Sequence, residues 1–336
     1  MNSLQLISSQ PFVSLALPHI EKLDLIEFYH AFICSLSQHL PEQTNIVLIG
    51  NDEEFEALQL PMITGHQIKR VNKSVFDIWI RDYAPIICGN RIVEQVYYPS
   101  YYYKKELKEL GFSFSSAQPI TSFLRRTLCK DIPFLESRLI LDGGNFSTNR
   151  EGDAIISTRI FADNPTWSKK AIENELYRTL AIERIFFIGC EPGDETGHVD
   201  GVARFVNKGT VIVGHLPDEY IPSKSTISKK DYEECRDYLN SVAEELSQYF
   251  KVIRLTDLPP SKEYKEGISS AYGNYVNFFR YADKIFVPQY GDQDADENAR
   301  NVLQDAFQDI HPIIIPIDCR ILASYGGVLN CITWER

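Results

Sequence analysis

One supersecondary unit recurs along the 336-residue chain, and this repeat limits the fold more than any single motif does. Each copy has a helical segment, a short β-rich run, a polar-studded run, and a tight turn into another strand. The clearest helical periodicity lies at about 20–40, 168–182, 228–249 and 294–308. Ser168 and Ser228 occupy expected N-cap positions. With a compressed copy at 137–158, the chain is predicted to be an α/β protein of five modules.

The two ends of the chain complement each other. The fifth module stops at Arg336 before its last hairpin strand, whereas PFVSLALPH (11–19) precedes the first helix and supplies a strand of that type. A last module completed by the first strand predicts a closed ring. Because repeats bury their faces against their neighbours, we expect one domain over residues 1–336. The alternative is an open α/β sheet, although no G-x-G-x-x-G or Walker-type phosphate loop supports its usual nucleotide-binding forms.

The amino-acid composition limits the classes of ligand and partner that the protein is expected to bind. Lys and Arg total 34 against 46 Asp and Glu, so the net charge of −12 predicts neither nucleic-acid nor membrane binding and weakly favours a cationic small substrate. No apolar stretch reaches the ~18 residues of a membrane span. Seven scattered cysteines without a CxxC pair argue against a zinc ribbon or a disulfide framework. We therefore expect a cytoplasmic protein, and the sequence leaves open whether it forms a homo-oligomer.

Chemically active side chains lie on the polar-studded runs, which are predicted to be strands. These runs are FDIWIRDYAP (76–85), SRLILDGGNFSTN (137–149), GHVDGVARFV (197–206), GNYVNFF (273–279) and GGVLNCITW (326–334). In a ring of repeats equivalent positions converge on the axis, so we expect one cavity lined by Asp82, Asp142, His198, Asp200, Asn277 and Cys331. His198 and Asp200 would share one face, because they are two residues apart on a predicted strand.

This set of side chains suits one kind of chemistry. A thiol beside a histidine is a nucleophile that can be held as the thiolate, and the imidazole can protonate a leaving group and later activate water. Several carboxylates in one cavity repel each other unless a cation lies among them. A guanidinium carries five donors in a planar fork that fits carboxylates. The residues therefore predict a guanidinium substrate that is held by carboxylates and attacked at carbon by sulfur.

Structural roles remain open for the same residues. Asp82 could form an ion pair with Arg81, and Trp79 could be a core residue. His198 and Asp200 could be a buried hydrogen-bonded pair or metal ligands, but no E-x-x-H or H-x-x-x-H motif supplies further ligands, so no metal is predicted.

The chain resembles the agmatine deiminase and bacterial (Porphyromonas-type) peptidylarginine deiminase family of the guanidine-modifying (pentein) superfamily. The matching stretches are WIRDYAP (79–85), LDGGNF (141–146), TGHVDGVARFV (196–206), YVNFF (275–279) and GGVLNCIT (326–333). The resemblance implies a fivefold pseudo-symmetric α/β-propeller of ββαβ-type units. It also implies cofactor-free hydrolysis of a guanidine to a ureido group with loss of ammonia.

The resemblance assigns a role to each matching position. Cys331 resembles the nucleophile and His198 the general acid and base, while Asp82 and Asp200 resemble the guanidinium-holding carboxylates. Asp142 stands where the family usually has a Glu that orients the histidine. The remaining positions resemble the substrate pocket and the glycine turn beside the nucleophile: Trp79, Asn277, Gly326 and Gly327.

Several positions depart from the family pattern. The usual IHCITQQ reads LNCITWE, so Asn330 replaces His, and Trp334 and Glu335 replace a Gln pair. The family's tryptophan-rich N-terminal signature is absent. The predicted activity is agmatine deimination. The alternatives are deimination of free or peptidyl arginine, with Arg159 or Arg280 as the carboxylate anchor, and a catalytically silent binding module.

Overall fold

The computed structural model describes residues 10–60, 68–100, 114–260, 264–265 and 268–336. The chain divides into two compact units, the first made of residues 1–138 and 331–336 and the second of residues 139–330. In this described part of the chain, no helix combines the length and apolar character that crossing a membrane requires.

The first unit contains two sheets and their helices. Its elements are β1 (Phe12–Ala16), α1 (Leu23–His39), β2 (Asn45–Gly50), α2 (Asp52–Ala57), β3 (Ile68–Asn72), α3 (Ile80–Tyr83), β4 (Ile86–Cys88), β5 (Arg91–Val96), α4 (Phe114–Leu128), β6 (Phe134–Ile140, whose last two residues belong to the second unit) and the C-terminal strand β18 (Trp334–Glu335). The sheet orders are β18-β1-β2-β3 and β4-β5-β6. Strands β1 and β2 share an apolar core with the buried face of α4, including Phe12, Val47 and Leu124.

The second unit repeats one arrangement three times. Its elements are β7 (Ser147–Thr148), β8 (Asp153–Ser157), α5 (Arg159–Asp163), α6 (Lys169–Leu180), β9 (Arg184–Ile188), β10 (Ala203–Asn207), β11 (Thr210–His215), α7 (Lys229–Ser247), β12 (Lys251–Thr256), β13 (Tyr264–Lys265), β14 (Ile268–Ser269), β15 (Phe279–Tyr281), β16 (Lys284–Gln289), α8 (Gln293–Ala306), β17 (Ile313–Asp318) and α9 (Arg320–Ala323). In β7-β8-β9, β10-β11-β12 and β15-β16-β17 an antiparallel pair is followed, after helical crossover, by a parallel strand.

The first unit's larger sheet has the same pattern, built from both chain ends. Strand β1 runs antiparallel to β18, with Val13 opposite Glu335 and Ser14 opposite Trp334, and parallel to β2. The backbones of Phe12 and Arg336 exchange hydrogen bonds of 3.1 and 2.9 Å. The N-terminal strand β1 therefore pairs with the C-terminal strand β18.

The four helices that apolar periodicity predicts are confirmed. The predicted N-caps are confirmed as well, because Ser168 Oγ accepts a hydrogen bond from the Ala171 amide and Ser228 Oγ accepts one from the Asp231 amide, both at 3.2 Å. Helix α7 buries its apolar face in the second unit's core, which includes Tyr232, Leu239 and Leu246.

The polar-studded runs are mostly not strands, and that prediction is wrong. Residues 80–83 form the short helix α3, residues 143–145 form one 3₁₀ turn, and His198 and Asp200 lie in the loop before β10. Only the ends of the runs join sheets, since glycines and turns interrupt their hydrogen-bond ladders. The shared strand face inferred for His198 and Asp200 therefore does not exist.

Candidate active site

A buried histidine–carboxylate pair lies in the second unit. His198 Nε2 is 3.1 Å from Asp142 Oδ2, and the two residues are only 8% and 7% exposed. Burial raises the pKa of the Asp142 carboxyl above its usual range, while His198 opposes that rise by favouring the carboxylate. Nearby Asp163 raises the same pKa further and Arg159 lowers it. The pair fixes the imidazole ring through Nε2, which is how a carboxylate orients a general acid and base.

The loop that carries His198 is held on both sides. The Gly197 carbonyl accepts a 2.5 Å hydrogen bond from Ser157 Oγ, and the His198 amide donates to Thr196 Oγ1 at 3.2 Å. Gly197 has φ +63°, and a Cβ there would lie 3.0 Å from Cys190 Sγ. The turn into His198 therefore needs glycine at this position.

Asp200 is held by both backbone and side chain. Its amide donates to the Gly144 carbonyl at 3.1 Å, which ties it to the turn that follows Asp142. Its Oδ2 accepts a hydrogen bond of 2.7 Å from Asn330 Nδ2, and Asp200 and Asn330 are 4% and 6% exposed. Two hydrogen bonds between the loop and the turn thus link Asp142, His198 and Asp200, which do not share a strand.

Asn277 holds the backbone of Asn330. Its Oδ1 and its backbone carbonyl accept hydrogen bonds from the Asn330 amide at 3.1 and 3.2 Å. Asn274 completes the arrangement, because its Oδ1 accepts from the Asn277 amide at 3.0 Å and its Nδ2 donates to the Gly201 carbonyl at 3.0 Å. The sequence interpretation missed Asn274 and assigned no role to Asn330. The sequence shows both only as asparagines within the motif stretches GNYVNFF (273–279) and GGVLNCITW (326–334).

The glycine turn also belongs to the second unit. Gly326 has φ +99°, and a Cβ there would lie 2.5 Å from Ile268 Cγ2. Any side chain at Gly326 would therefore displace this turn, and Gly327 next to it is buried. These contacts explain why glycine stands at position 326, before the segment that leads to Asn330.

Trp79, Asp82 and Cys331 lie in the first unit. Trp79 and Asp82 are buried at the start and in the middle of α3, and the Asp82 amide donates to the Trp79 carbonyl at 3.0 Å. The Arg81 amide donates to the Cys331 carbonyl at 3.1 Å, which ties α3 to the backbone of the candidate nucleophile. All seven cysteines are free thiols, and Cys331 is partly exposed, whereas Cys88, Cys129, Cys235 and Cys319 are buried.

The two residues that replace the family's Gln pair have contacts of their own. Glu335 Oε2 lies 2.5 Å from a guanidinium nitrogen of Arg81, so Arg81 has an ion-pair partner other than its neighbour Asp82. Trp334 Nε1 donates to the Pro85 carbonyl at 3.0 Å, and its ring packs edge-on against Phe12 at 5.0 Å. Both residues hold the segment after Cys331 against α3 and β1.

The two cations that could anchor a substrate carboxylate both contact protein groups. Arg159 Nε lies 3.1 Å from Asp163 Oδ1, and its NH1 donates to the Glu195 carbonyl at 3.1 Å. Arg280 donates to the carbonyls of Ala282 and Val206, and its guanidinium lies over the Phe307 ring. Among the residues that the structure describes, no group of three or more His, Cys, Asp or Glu could hold a metal ion.

Comparisons with known proteins identify the family of the chain. The family described as Porphyromonas-type peptidyl-arginine deiminase matches residues 7–336. An agmatine deiminase of Medicago truncatula is 27% identical over 226 residues, which cover 61% of this chain and 59% of that relative. The chain thus spans less than two thirds of the length of that relative.

Two solved structures share the fold. A C. jejuni agmatine deiminase with substrate bound is 22% identical with a TM-score of 0.76, covering 98% of this chain and 94% of that one. DDAH from Pseudomonas aeruginosa is 9% identical with a TM-score of 0.52, covering 97% of this chain and 99% of that one. The chain therefore has an α/β fold of the pentein type.

Proposed function

Because the chain belongs to the Porphyromonas-type peptidyl-arginine deiminase family, we propose that it is an agmatine deiminase. It would hydrolyse the guanidinium of agmatine to N-carbamoylputrescine and ammonia, without a cofactor. The names of the Medicago relative and the C. jejuni neighbour support this substrate. The match over residues 7–336 supports the reaction class, because it includes every residue to which the resemblance assigns a role.

The buried His198–Asp142 pair is the observation that carries the chemistry. A deiminase must protonate a departing amine and later deprotonate water, and one oriented imidazole can do both. The 3.1 Å contact at Nε2 orients the imidazole ring that would exchange these protons. An Asp in place of the family's Glu still reaches the ring, so the shorter side chain does not abolish the pair.

In the first half of the proposed reaction, the Cys331 thiolate attacks the central guanidinium carbon and forms a C–S bond. The tetrahedral adduct then breaks one C–N bond. His198 donates its proton to that nitrogen, which leaves as ammonia, and an S-alkylthiouronium remains on Cys331. The positive charge of the bound guanidinium favours the thiolate over the thiol before attack.

In the second half, His198 takes a proton from water, and the resulting hydroxide adds to the thiouronium carbon. The C–S bond breaks and the hydroxyl proton passes to solvent, which releases the neutral ureido product and regenerates the thiolate. Asp82 and Asp200 would pair with the guanidinium N–H groups throughout, since carboxylates match that planar fork. Trp79 and Asn277 would contribute to the substrate pocket, and Gly326 and Gly327 would shape the turn that precedes Cys331.

Two observations favour agmatine over free or peptidyl arginine. Arg159 and Arg280, the cations that could anchor a substrate carboxylate, are already engaged by Asp163, by carbonyls and by an aromatic ring. The net charge of −12 also attracts a dication more than a zwitterion. A buried carboxylate without a partner is costly, so an arginine substrate would bind less well.

The proposal includes the architecture and setting expected from the sequence. These are one deiminase domain over residues 1–336, a fivefold propeller of ββαβ-type units whose ring the N-terminal strand completes, and a cytoplasmic location. The pairing of β1 with β18 supports the role of the N-terminal strand. We expect no nucleic-acid or membrane partner, and a homo-oligomer is compatible with the proposal.

The test is to incubate the protein with agmatine, free arginine and an arginine-terminated peptide, and to measure ammonia and the ureido product. We expect stoichiometric ammonia and N-carbamoylputrescine from agmatine. The Cys331→Ala variant is the matched control, since it removes only the nucleophile. Absence of product from every guanidine would support the silent binding module and overturn the proposed function.

A further inference from the structure

We propose that Asn330 is a positioning residue that holds the guanidinium-binding carboxylate of Asp200, so that its amide sets the affinity for the substrate. This inference rests on the proposed function, because it deepens the role of Asp200 in that same site. No role for Asn330 follows from the family pattern, in which His occupies this position.

The contact is short, buried and directional. Asn330 Nδ2 donates to Asp200 Oδ2 at 2.7 Å, and neither residue is more than 6% exposed. A hydrogen bond to an ionised carboxylate in such surroundings is stronger than one between neutral groups. The amide therefore fixes one oxygen of Asp200 and orients the whole carboxylate group.

The position of Asn330 itself is fixed by an independent set of bonds. Its backbone amide donates to Asn277 Oδ1 and to the Asn277 carbonyl, at 3.1 and 3.2 Å. Asn274 joins the Asn277 amide to the Gly201 carbonyl, one residue after Asp200. Amide hydrogen bonds thus join the segment around Asn330 to the segment around Asp200. Asp200 is held through its side chain, and the next residue, Gly201, is held through its carbonyl.

The side chain and the backbone of Asn330 therefore make separate hydrogen bonds, which a substitution can distinguish. Substitution of the side chain removes the bond to Asp200, whereas the backbone bonds to Asn277 remain, because they use the Asn330 N–H. The path of the chain into Cys331 is then preserved. Loss of this one hydrogen bond loosens Asp200 but keeps its carboxylate, so it should weaken ground-state and transition-state binding alike. That effect appears as a rise in KM with little change in kcat.

An amide is also a donor at every pH. Unlike an imidazole, whose unperturbed pKa is about 6.5, it cannot acquire a charge beside Asp200. A cation there would compete with the substrate guanidinium for the same carboxylate. With Asn at position 330, substrate binding through Asp200 is therefore independent of any titration at this neighbour.

The first experiment measures kcat and KM for agmatine in the wild type, Asn330→Ala and Asn301→Ala. Asn301 is exposed on α8 and serves as the matched control. We expect Asn330→Ala to raise KM about ten-fold or more, from the loss of a hydrogen bond to a charged group, with kcat within about three-fold. The rate at which neutral iodoacetamide, which has no amidinium for Asp200 to bind, labels Cys331 should stay close to the wild-type value, and so should the melting temperature.

The second experiment uses Asn330→His, which keeps an N–H donor. The ratio of its KM to the wild-type KM should be near one at pH 8 and should rise several-fold as the pH falls through about 6.5, because a protonated imidazole neutralises Asp200. A structural role alone would give a ratio that does not depend on pH. This variant also tests the inference if Asn330→Ala does not fold.

The outcomes separate the inference from the function on which it rests. A wild-type protein without turnover of agmatine overturns the proposed function and this inference together. Wild-type turnover combined with an unchanged KM in Asn330→Ala, or with a pH-independent ratio in Asn330→His, overturns the inference alone. A fall in kcat with unchanged KM would also contradict it, since Asn330 would then act on the chemical step.

Discussion

Single side chains of this protein are recognisable from sequence by residue type, but their partners are not. The carboxylate at position 142 could be matched to a family Glu, whereas its 3.1 Å contact with His198 Nε2 depends on a turn at 143–145 that no periodicity predicts. Asn330 was visible only as a departure from a pattern. Its bond to Asp200 joins residues 130 positions apart, and such a contact follows from tertiary structure alone.

The nucleophile gives the first prediction. Cys331→Ala should reduce turnover of agmatine by many orders of magnitude, since the covalent route is lost, while the circular dichroism spectrum stays unchanged. A haloacetamidine should label Cys331 ahead of the other six cysteines, as shown by peptide mass spectrometry with and without agmatine protection. Residual activity in the variant, or preferential labelling of Cys34 or Cys190, would remove Cys331 from this role.

The carboxylates give the second prediction. Asp82→Asn and Asp200→Asn should each lose binding and turnover together, at a cost of roughly 2–5 kcal/mol in kcat/KM, because a neutral amide cannot pair with a guanidinium. Asp142→Asn should mainly lower kcat, because it disturbs the orientation of His198. Asp305→Asn, an exposed position on α8, is the control. A wild-type KM in both Asp82→Asn and Asp200→Asn would contradict the proposal that these carboxylates bind a guanidinium substrate.

A partly buried acid outside the proposed mechanism gives the third prediction. Burial of its carboxyl group and the nearby Asp194 raise the pKa of Glu191 to about 8 from its ordinary value of 4.5. The folded protein then keeps a proton that the unfolded chain releases, so the free energy of unfolding should fall as pH rises from about 4.5 to 8. One such group contributes a slope of at most about 1.4 kcal/mol per pH unit.

The measurement is urea unfolding of the wild type and Glu191→Gln at pH 5, 6, 7 and 8. The variant should gain stability relative to the wild type as pH rises, because its amide stays neutral in both states. Glu297→Gln, at an exposed position, should show no such trend. A stability difference for Glu191→Gln that is independent of pH would show that Glu191 is ionised in the folded protein.

At the scale of elements, sequence prediction succeeded where one physical signal was strong. Helices α6 and α7 combine apolar periodicity with Ser caps, and both begin at the predicted residue. Helix α4 was missed, since Pro119 lies within it and argues against a helix interior. The polar-studded runs were mistaken for strands because their alternation comes from functional residues rather than from a half-buried sheet face.

Strand β1 gives a prediction at this scale. It lies between β18 and β2, so Ser14→Pro should remove backbone hydrogen bonding from the middle of a sheet, and deletion of residues 1–17 should leave an unpaired edge beside β18. Both proteins should be insoluble, or inactive with a melting temperature several degrees lower.

Ser14→Ala is the matched control for the backbone effect. Ser14 Oγ is buried without a hydrogen-bond partner, so replacing the hydroxyl by hydrogen should be neutral or slightly stabilising. The measurements are the melting temperature and the agmatine turnover of Ser14→Pro, of Ser14→Ala and of the chain without residues 1–17. A soluble and fully active chain without residues 1–17 would show that β1 is dispensable.

At the scale of the whole molecule, an antiparallel strand pair followed by a parallel strand recurs in four of the described sheets, and the family match extends over residues 7–336. Charge acts at this scale too, because a net charge of −12 favours cationic ligands in general without selecting one. Selection requires particular side chains. The engagement of Arg159 and Arg280 by protein groups therefore weighs more in the choice between agmatine and arginine than the total charge does.

The ratio of kcat/KM for agmatine to kcat/KM for free arginine tests the central claim most directly. It should be measured at equal pH and ionic strength, with ammonia and the ureido product both quantified. We predict a ratio well above one, because arginine carries a carboxylate and the two candidate anchors, Arg159 and Arg280, are engaged by protein groups. Arg159→Ala and Arg280→Ala should not lower arginine turnover selectively. A ratio below one, together with such a selective loss in either variant, would contradict the account and assign the protein to arginine deimination.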